Sequence, residues 1–465
     1  MFLATPLRMI VGMQTEMRSP TVWILAILAL FLGVLVGPVV GAEPEEALAE
    51  PSGEHGAESG AEDEAEEIRE ERYFRSKLSF WRVLRLPADL LDYVWYPLRV
   101  GLDYSEEIQL DERVEESFFF NDEHTAGWFP KPSFGGPLGD AGGVSVFFDE
   151  VFTERDRIDA SVLVAGRREF EFDLQYAIVP NELEPFHLLF DVGFIRDREV
   201  EAFVTTDDSG ELTMGMATDE DEESEYQLRQ FVTSLDFGVE LFAEVDLSCH
   251  VRGEVSKANQ RPATTIAGFS GFNEEINLIA PGFLLEWDRR DDGRRPQRGW
   301  LIKGFGEVAA SPVESDRDQR YGYTDYMFDA QAFIPLHGPH RVLVLRQRLR
   351  RVDDWAGYDL AFYHLPVLDL NHGLRAYERN RFRDNGSLVT NLEYRYPVWK
   401  SWDAYVFADG GQTFREYSDI DLSDFEYAVG GGVRLMTQKD IEFNLQVGFG
   451  SEDVEIVFSF DRVLQ

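Results

Sequence analysis

The chain has 465 residues, with 86 Asp and Glu against 44 Lys and Arg and a net charge of -42. So large a negative excess argues against a nucleic-acid partner, because like charge repels phosphate. Cys249 stands alone, which excludes an intrachain disulfide and a cysteine-based metal site, so the fold must hold without covalent staples.

The first 42 residues read as a secretory signal peptide. Arg8 and Arg18 precede an uncharged apolar run from Thr21 to Val40, and Val40-Gly41-Ala42 supplies the small residues of a cleavage site. The same run is long enough to be a retained membrane anchor. Residues 43–72 form an acidic low-complexity segment with almost no large apolar side chain, so a disordered tether is expected there. Residues 73–125 are expected to be a periplasmic amphipathic helical and linker segment. Leu78, Trp81, Leu84, Leu91, Trp95 and Leu98 recur among basic groups, with an interruption at Pro87. Such a helix would lie on a membrane surface, plug one end of the next domain or pack on a core.

From about residue 126 the period changes from helical to two. Glu169-Phe-Glu-Phe-Asp-Leu-Gln-Tyr176 and Ile441-Glu-Phe-Asn-Leu-Gln-Val447 alternate polar with apolar at every step. Alternation alone fits a soluble sandwich as well. Strand length and aromatic placement favour a membrane barrel: many segments reach the roughly 9 to 11 residues that a tilted strand needs to cross a bilayer. Trp287, Trp300, Trp399, Trp402 and Tyr405 sit near segment ends, as interfacial girdles do. Segments from 143–151 to 453–463, with one near 127–137 and another near 200–216, give about sixteen strands. The fold expected over 126–465 is therefore all-β, a closed antiparallel transmembrane barrel. Short gaps at 399–402 and 437–439 suit periplasmic turns, which puts the long segment 351–385 on the outside, between the eleventh and twelfth strands. That segment holds Arg375, Arg379, Arg381 and Arg383 within nine residues.

Its position and residues resemble those of the BamA/TamA family of outer-membrane barrels, also called bacterial surface antigens. The family's sixth external loop carries a V-R-G-F/Y motif, and Leu374-Arg375-Ala376-Tyr377 occupies the matching place. Asn391-Leu-Glu-Tyr-Arg-Tyr-Pro397, Val406-Phe-Ala-Asp-Gly-Gly411 and Gly430-Gly-Gly-Val-Arg434 look like the family's following strands, in order. Upstream, Asp288, Arg290 and Asp291 with Pro296 and Gly299 resemble its D-x-R-D…P-x-x-G hairpin. The resemblance implies that the loop folds into the lumen and that Glu393 and Asp409 receive Arg375, with Tyr377 and Phe407 packed beside the guanidinium. An arginine in a wet lumen needs such acceptors, since a carboxylate binds its planar fork at two points. Strand phase also turns Glu393 inward, because Leu392 and Tyr394 beside it are apolar. On the other reading the arginines are surface charges that meet lipopolysaccharide phosphates, and Arg379, Arg381 and Arg383 are expected near the outer rim. Ala376 replaces the family's glycine, so a positive φ there would be strained. The resemblance also implies periplasmic POTRA domains, for which 43–125 has no room.

The chain contains no G-x-S-x-G, H-E-x-x-H or G-x-x-x-x-G-K-[ST], so no enzyme and no cofactor is expected. Gly135, Gly136, Gly139, Gly142 and Gly143 suit a strand-connecting loop. Asp419-Ile-Asp-Leu-Ser-Asp424 lacks the glycine and closing glutamate of a calcium loop, so it reads as solvated charge, as does the acidic run from Asp219. The leading functional expectation is insertion or translocation of polypeptides at a weak seam between the first and last strands. Val454, Ile456, Phe458 and Phe460 would form one side of that seam. The alternatives are a passive pore or lipid conduit plugged by loop six, and a surface-exposed structural antigen. Expected partners are outer-membrane lipids and lipopolysaccharide, client outer-membrane proteins and assembly factors.

Overall fold

The computed structural model describes residues 118–462, apart from 122, 137–138, 167–168, 181–183, 207–211, 214–221, 242–243, 262–268, 294, 316–318, 337–340, 400–401, 437–440 and 453. The expected leader, the acidic tether and the helical part of 73–125 lie outside the described residues. Of that last segment, 118–125 makes a turn in which Phe119 bridges Gly127.

Sixteen antiparallel strands form the domain. The first, β1, is Ala126–Pro130 continued by Ser133–Gly136. Next come β2 Gly139–Asp149, β3 Asp156–Ala165, β4 Glu169–Ile178 and β5 Phe186–Thr206. These are followed by β6 Glu222–Glu240, β7 Val245–Gln260, β8 Glu275–Asp288, β9 Gly299–Ala310 and β10 Gly322–Pro335. Then come β11 Val342–Asp354, β12 Gly386–Trp399, β13 Trp402–Phe414, β14 Glu426–Met436, β15 Ile441–Phe449 and β16 Val454–Arg462. Each strand pairs with its neighbour in sequence, and the ring returns through β1 and β16.

The alternation seen in the sequence is the inside-outside code of this sheet. On β8, Ile276, Leu278 and Ala280 are buried, whereas Ile279, Phe283, Leu285 and Trp287 are exposed. Leu392 and Val406 are likewise exposed on β12 and β13. Aliphatic and aromatic side chains on an outer face match a lipid solvent, and the polar residues between them face the lumen. Trp287 and Trp300 meet edge to face at 5.8 Å where β8 and β9 end and begin, as a membrane-boundary girdle requires.

The segment near 200–216 is no separate strand. Val200–Val204 continue β5 past a register shift at Asp197, pairing with Glu222–Tyr226, and Leu212–Thr213 folds back on Thr205 and Thr206. The two strands of one tall hairpin thus replace three expected strands, because a register shift disrupts the ladder only locally and pairing resumes beyond it. Gly142 and Gly143 lie within β2, and Gly136 pairs with Gly139 across the β1–β2 turn.

The two sides of β16 differ. Toward β15 it makes nine residue pairs, from Ile441 with Arg462 to Phe449 with Val454. Toward β1 it makes two, Ser133 with Ser459 and Phe134 with Phe458. Pro132 interrupts β1 and has no amide proton to offer.

Candidate functional site

The loop joining β11 to β12 turns into the lumen. Positive φ values occur at Gly357 (76°), Gly373 (107°) and Asn380 (60°), which accept them, and also at Ala356 (57°). Leu368, Leu374, Ala376, Tyr377 and Phe382 give it a small core of its own, which packs on Val389 and Ala428 of the wall. Asp369 is the hub. Its carboxylate accepts the amides of Asn371, His372 and Asn380 at 2.9, 3.0 and 2.7 Å, and His372 Nδ1 lies 2.7 Å away. Burial works to raise the Asp369 carboxyl, but the contacts with His372 and the backbone amides outweigh it and hold the group below its ordinary range.

The Arg375 side chain is directed inward. Its Nε and Nη2 donate to Asp409 at 2.9 and 2.8 Å, and Nη1 donates to Glu393 at 2.6 Å. The guanidinium lies 3.8 Å from the centre of the Phe407 ring. Both acceptors are held in turn: Asn391 Nδ2 donates to Asp409 at 2.8 Å, and Arg395 Nε to Glu393 at 2.7 Å. The Asp409 side chain has no exposure at all, so its alternation phase, obscured in sequence by Ala408 and Gly410, is inward. The glycines of Gly430-Gly-Gly have a direct use. A Cβ at Gly430 would come 2.5 Å from the Phe407 ring, and one at Gly432 would come 2.6 Å from the Tyr405 hydroxyl.

Other expectations for this loop are corrected. Tyr377 is not beside the guanidinium. Its ring packs on Phe382 at 5.2 Å, and its hydroxyl donates to Glu426 at 2.7 Å. Ala376 has no positive φ and carries no such strain. The close approach is on the other side, where a Cβ at Gly448 of β15 would meet the Arg375 carbonyl at 2.2 Å. Arg379, Arg381 and Arg383 are bound within the protein and are not free surface charges. Arg379 donates to Asp197 of β5 at 2.9 Å. Arg381 makes two 2.8 Å bonds to Glu452 in the β15–β16 turn, with its guanidinium 4.6 Å from the Phe203 ring centre. Arg383 is buried and donates to the Phe362 and Leu365 carbonyls and to Asn380.

The first half of the loop is anchored by residues that the sequence reading missed. Phe362 packs on Tyr226 and Phe272. Tyr363 and Ser256 hydroxyls lie 3.1 Å apart, and His364 Nε2 is 2.8 Å from Glu254. Glu254 also meets Arg252, which reaches Glu307 at 2.7 Å, and Glu307 is 3.1 Å from His250. Their signal was present as polar residues at every second position of β7, Ser248, His250, Arg252, Glu254 and Ser256, which is the inward phase.

The β8–β9 turn is a folded unit. Arg290 grips Asp288, with Nη2 at 2.6 Å, while Asp291 accepts the amides of Gln297 at 2.9 Å and Arg298 at 3.2 Å. Pro296 is buried, and Gly299 has a φ of 109°, where a Cβ would clash with the Arg289 carbonyl. Arg295 Nε reaches Asp403 of β13 at 2.7 Å, a contact the motif did not suggest. On β16, Val454 and Ile456 are exposed, Phe458 meets Phe443 at 5.0 Å, and Phe460 pairs in register with Phe443. Asp421 caps a single turn by accepting the Ser423 amide at 2.9 Å, and among the described residues no His, Cys, Asp or Glu group has metal-binding geometry.

No curated protein matches the chain. Among solved structures it is similar to BamA from Haemophilus ducreyi lacking POTRA domains 1-3, at 12% identity and a TM-score of 0.50, over 72% of this chain and 70% of that one. It is also similar to CdiB from Acinetobacter baumannii at 11% identity and a TM-score of 0.46, covering 72% of this chain and 58% of that one. CdiB from Escherichia coli gives 10% identity and a TM-score of 0.48, over 72% and 62%. At 12% identity the likeness to BamA is one of fold. The family model described as the Omp85 superfamily domain matches residues 156–447, more than half of the sequence, and the chain belongs to the Omp85 superfamily.

Proposed function

We infer that this outer-membrane barrel inserts or translocates other polypeptides and that the β1–β16 junction is its working edge. The role is non-enzymatic, and its partners are client outer-membrane proteins, assembly factors and the surrounding lipid and lipopolysaccharide. The observation that carries this reading is the mismatch in pairing around β16, nine residue pairs on one side and two on the other. At about 1 kcal/mol net per hydrogen bond, the seam is the least costly junction of this strand to part, and a parted edge offers its amides and carbonyls to an incoming strand. Export through the periplasm accompanies this role.

A disulfide across the seam tests it. With Ser133→Cys and Ser459→Cys, oxidation should abolish insertion of an unfolded barrel client into proteoliposomes, and reduction should restore it. Full activity of the oxidised, crosslinked protein would end this reading. The second reading is a plugged pore or lipid conduit, supported by the Arg375 clamp that holds loop six in the lumen. It requires the opposite result, namely no effect of the crosslink and higher bilayer conductance when Arg375 is removed.

A further inference from the structure

The lumen face of β11 carries a row of three arginines, Arg346, Arg348 and Arg350, at alternate positions of an extended strand. Each reaches diagonally toward β10. Arg346 Nε donates to both oxygens of Asp329 at 3.0 Å. Arg350 donates to Asp325 from Nε at 3.1 Å and from Nη2 at 2.7 Å. The middle position breaks the series, because Met327 stands between the two aspartates and Arg348 Nε rests on its sulfur at 3.1 Å. Asp329 is directly opposite Arg348 in the register, but its carboxylate is taken by the Arg346 fork. Three guanidinium groups therefore share two carboxylates.

Arg348 borders a cavity of about 650 Å³ beneath loop six. Arg252, which also lines it, is bound to Glu254 and Glu307, and Arg379 to Asp197. Arg383 borders the cavity as well, held by carbonyls and Asn380. Among the described residues, neither Arg348 nor Arg383 has a carboxylate within ion-pairing distance. From the β6 side Asp236 lines the same cavity, accepting the Ser234 hydroxyl at 3.0 Å.

We propose that this cavity binds a small oxyanion, phosphate or carboxylate, with the Arg348 guanidinium as its two-point contact. A cation partly withdrawn from water with no carboxylate in ion-pairing contact is costly, and a planar fork of N–H donors matches two oxygens of one anion. Met327 preserves the site by leaving the middle arginine uncommitted.

The test uses the full chain in dodecyl maltoside, with inorganic phosphate titrated against chloride at constant ionic strength. Phosphate should broaden its own phosphorus resonance and raise the unfolding midpoint saturably. Arg348→Gln should weaken binding about tenfold or more. Met327→Asp keeps the arginine but supplies the missing carboxylate, so it should abolish binding in a barrel at least as stable as the parent. Asp236→Asn should strengthen it. A parallel titration with phosphatidylglycerol in mixed micelles separates the sources, since a response to the lipid alone assigns a headgroup rather than the free ion. Binding that persists unchanged in both Arg348→Gln and Met327→Asp, or that never exceeds the chloride control, overturns the proposal.

Discussion

At Arg375 a single side chain ties loop six to two carboxylates of the lumen wall, Asp409 and Glu393. Removing it strands the fully covered Asp409 carboxylate, whereas Glu393 keeps Arg395. Breaking a buried pair in this way costs about 3–5 kcal/mol. Arg375→Ala should therefore expose the bonds after Arg379, Arg381 and Arg383 to trypsin without unfolding the strands, and Arg375→Lys, lacking the planar fork, should rescue only partly. The depressed Asp369 carboxyl adds a pH dependence. A group held below its ordinary value stabilises above that value, about pH 4, and the contribution is lost as pH falls through the native one. Trypsin-like access is read at neutral pH after an acid pulse and labelling. The parent loop should be protected at pH 7 and released in acid, Asp369→Asn should be looser already at pH 7, and the two should converge at low pH. Arg375 and Glu393 were legible in the sequence because the family resemblance pointed at both and strand phase turned Glu393 inward, whereas Asp409 rested on the resemblance alone. The places of Arg379 and Arg381 were not legible, since their partners Asp197 and Glu452 lie far away in sequence and only the fold brings them together.

At the scale of elements, loop six and β15 are fitted backbone to backbone. Gly448 has no Cβ where the Arg375 carbonyl needs the space, so Gly448→Val should push the loop off the wall at a cost of about 1–3 kcal/mol. Its trypsin pattern should match that of Arg375→Ala although every ion-pairing group remains, and an unchanged pattern would show that β15 yields instead. Strand positions were largely readable, because apolar-polar alternation is imposed by a two-sided environment and survives without any alignment. The 200–216 segment was misread because the register shift between Asp197 and Val200 breaks the alternation while the pairing continues into Val204. Nothing in the β8–β9 motif foretold its bond to Asp403, since a turn's internal hydrogen bonds constrain only the turn.

For the whole molecule, uneven pairing predicts uneven opening. Local opening free energy follows the hydrogen bonds and packing that must be given up, so amides of β1 and those of β16 facing it should exchange with solvent well before the centre of β8, which is paired on both sides along most of its length. Equal protection around the ring would remove the physical basis for a working edge there. The arginines of loop six bear on the same question. Arg379 fastens the loop to β5, and Arg381 fastens it to the turn that begins β16. Mechanically, the loop is a tie rod strung between the closing strand and the far arc of the wall. If the seam parts by swinging β16 outward, that rod carries tension before the β15–β16 hydrogen bonds do. Opening the ring then has to break these exchangeable side-chain contacts as well as the hydrogen bonds of the seam.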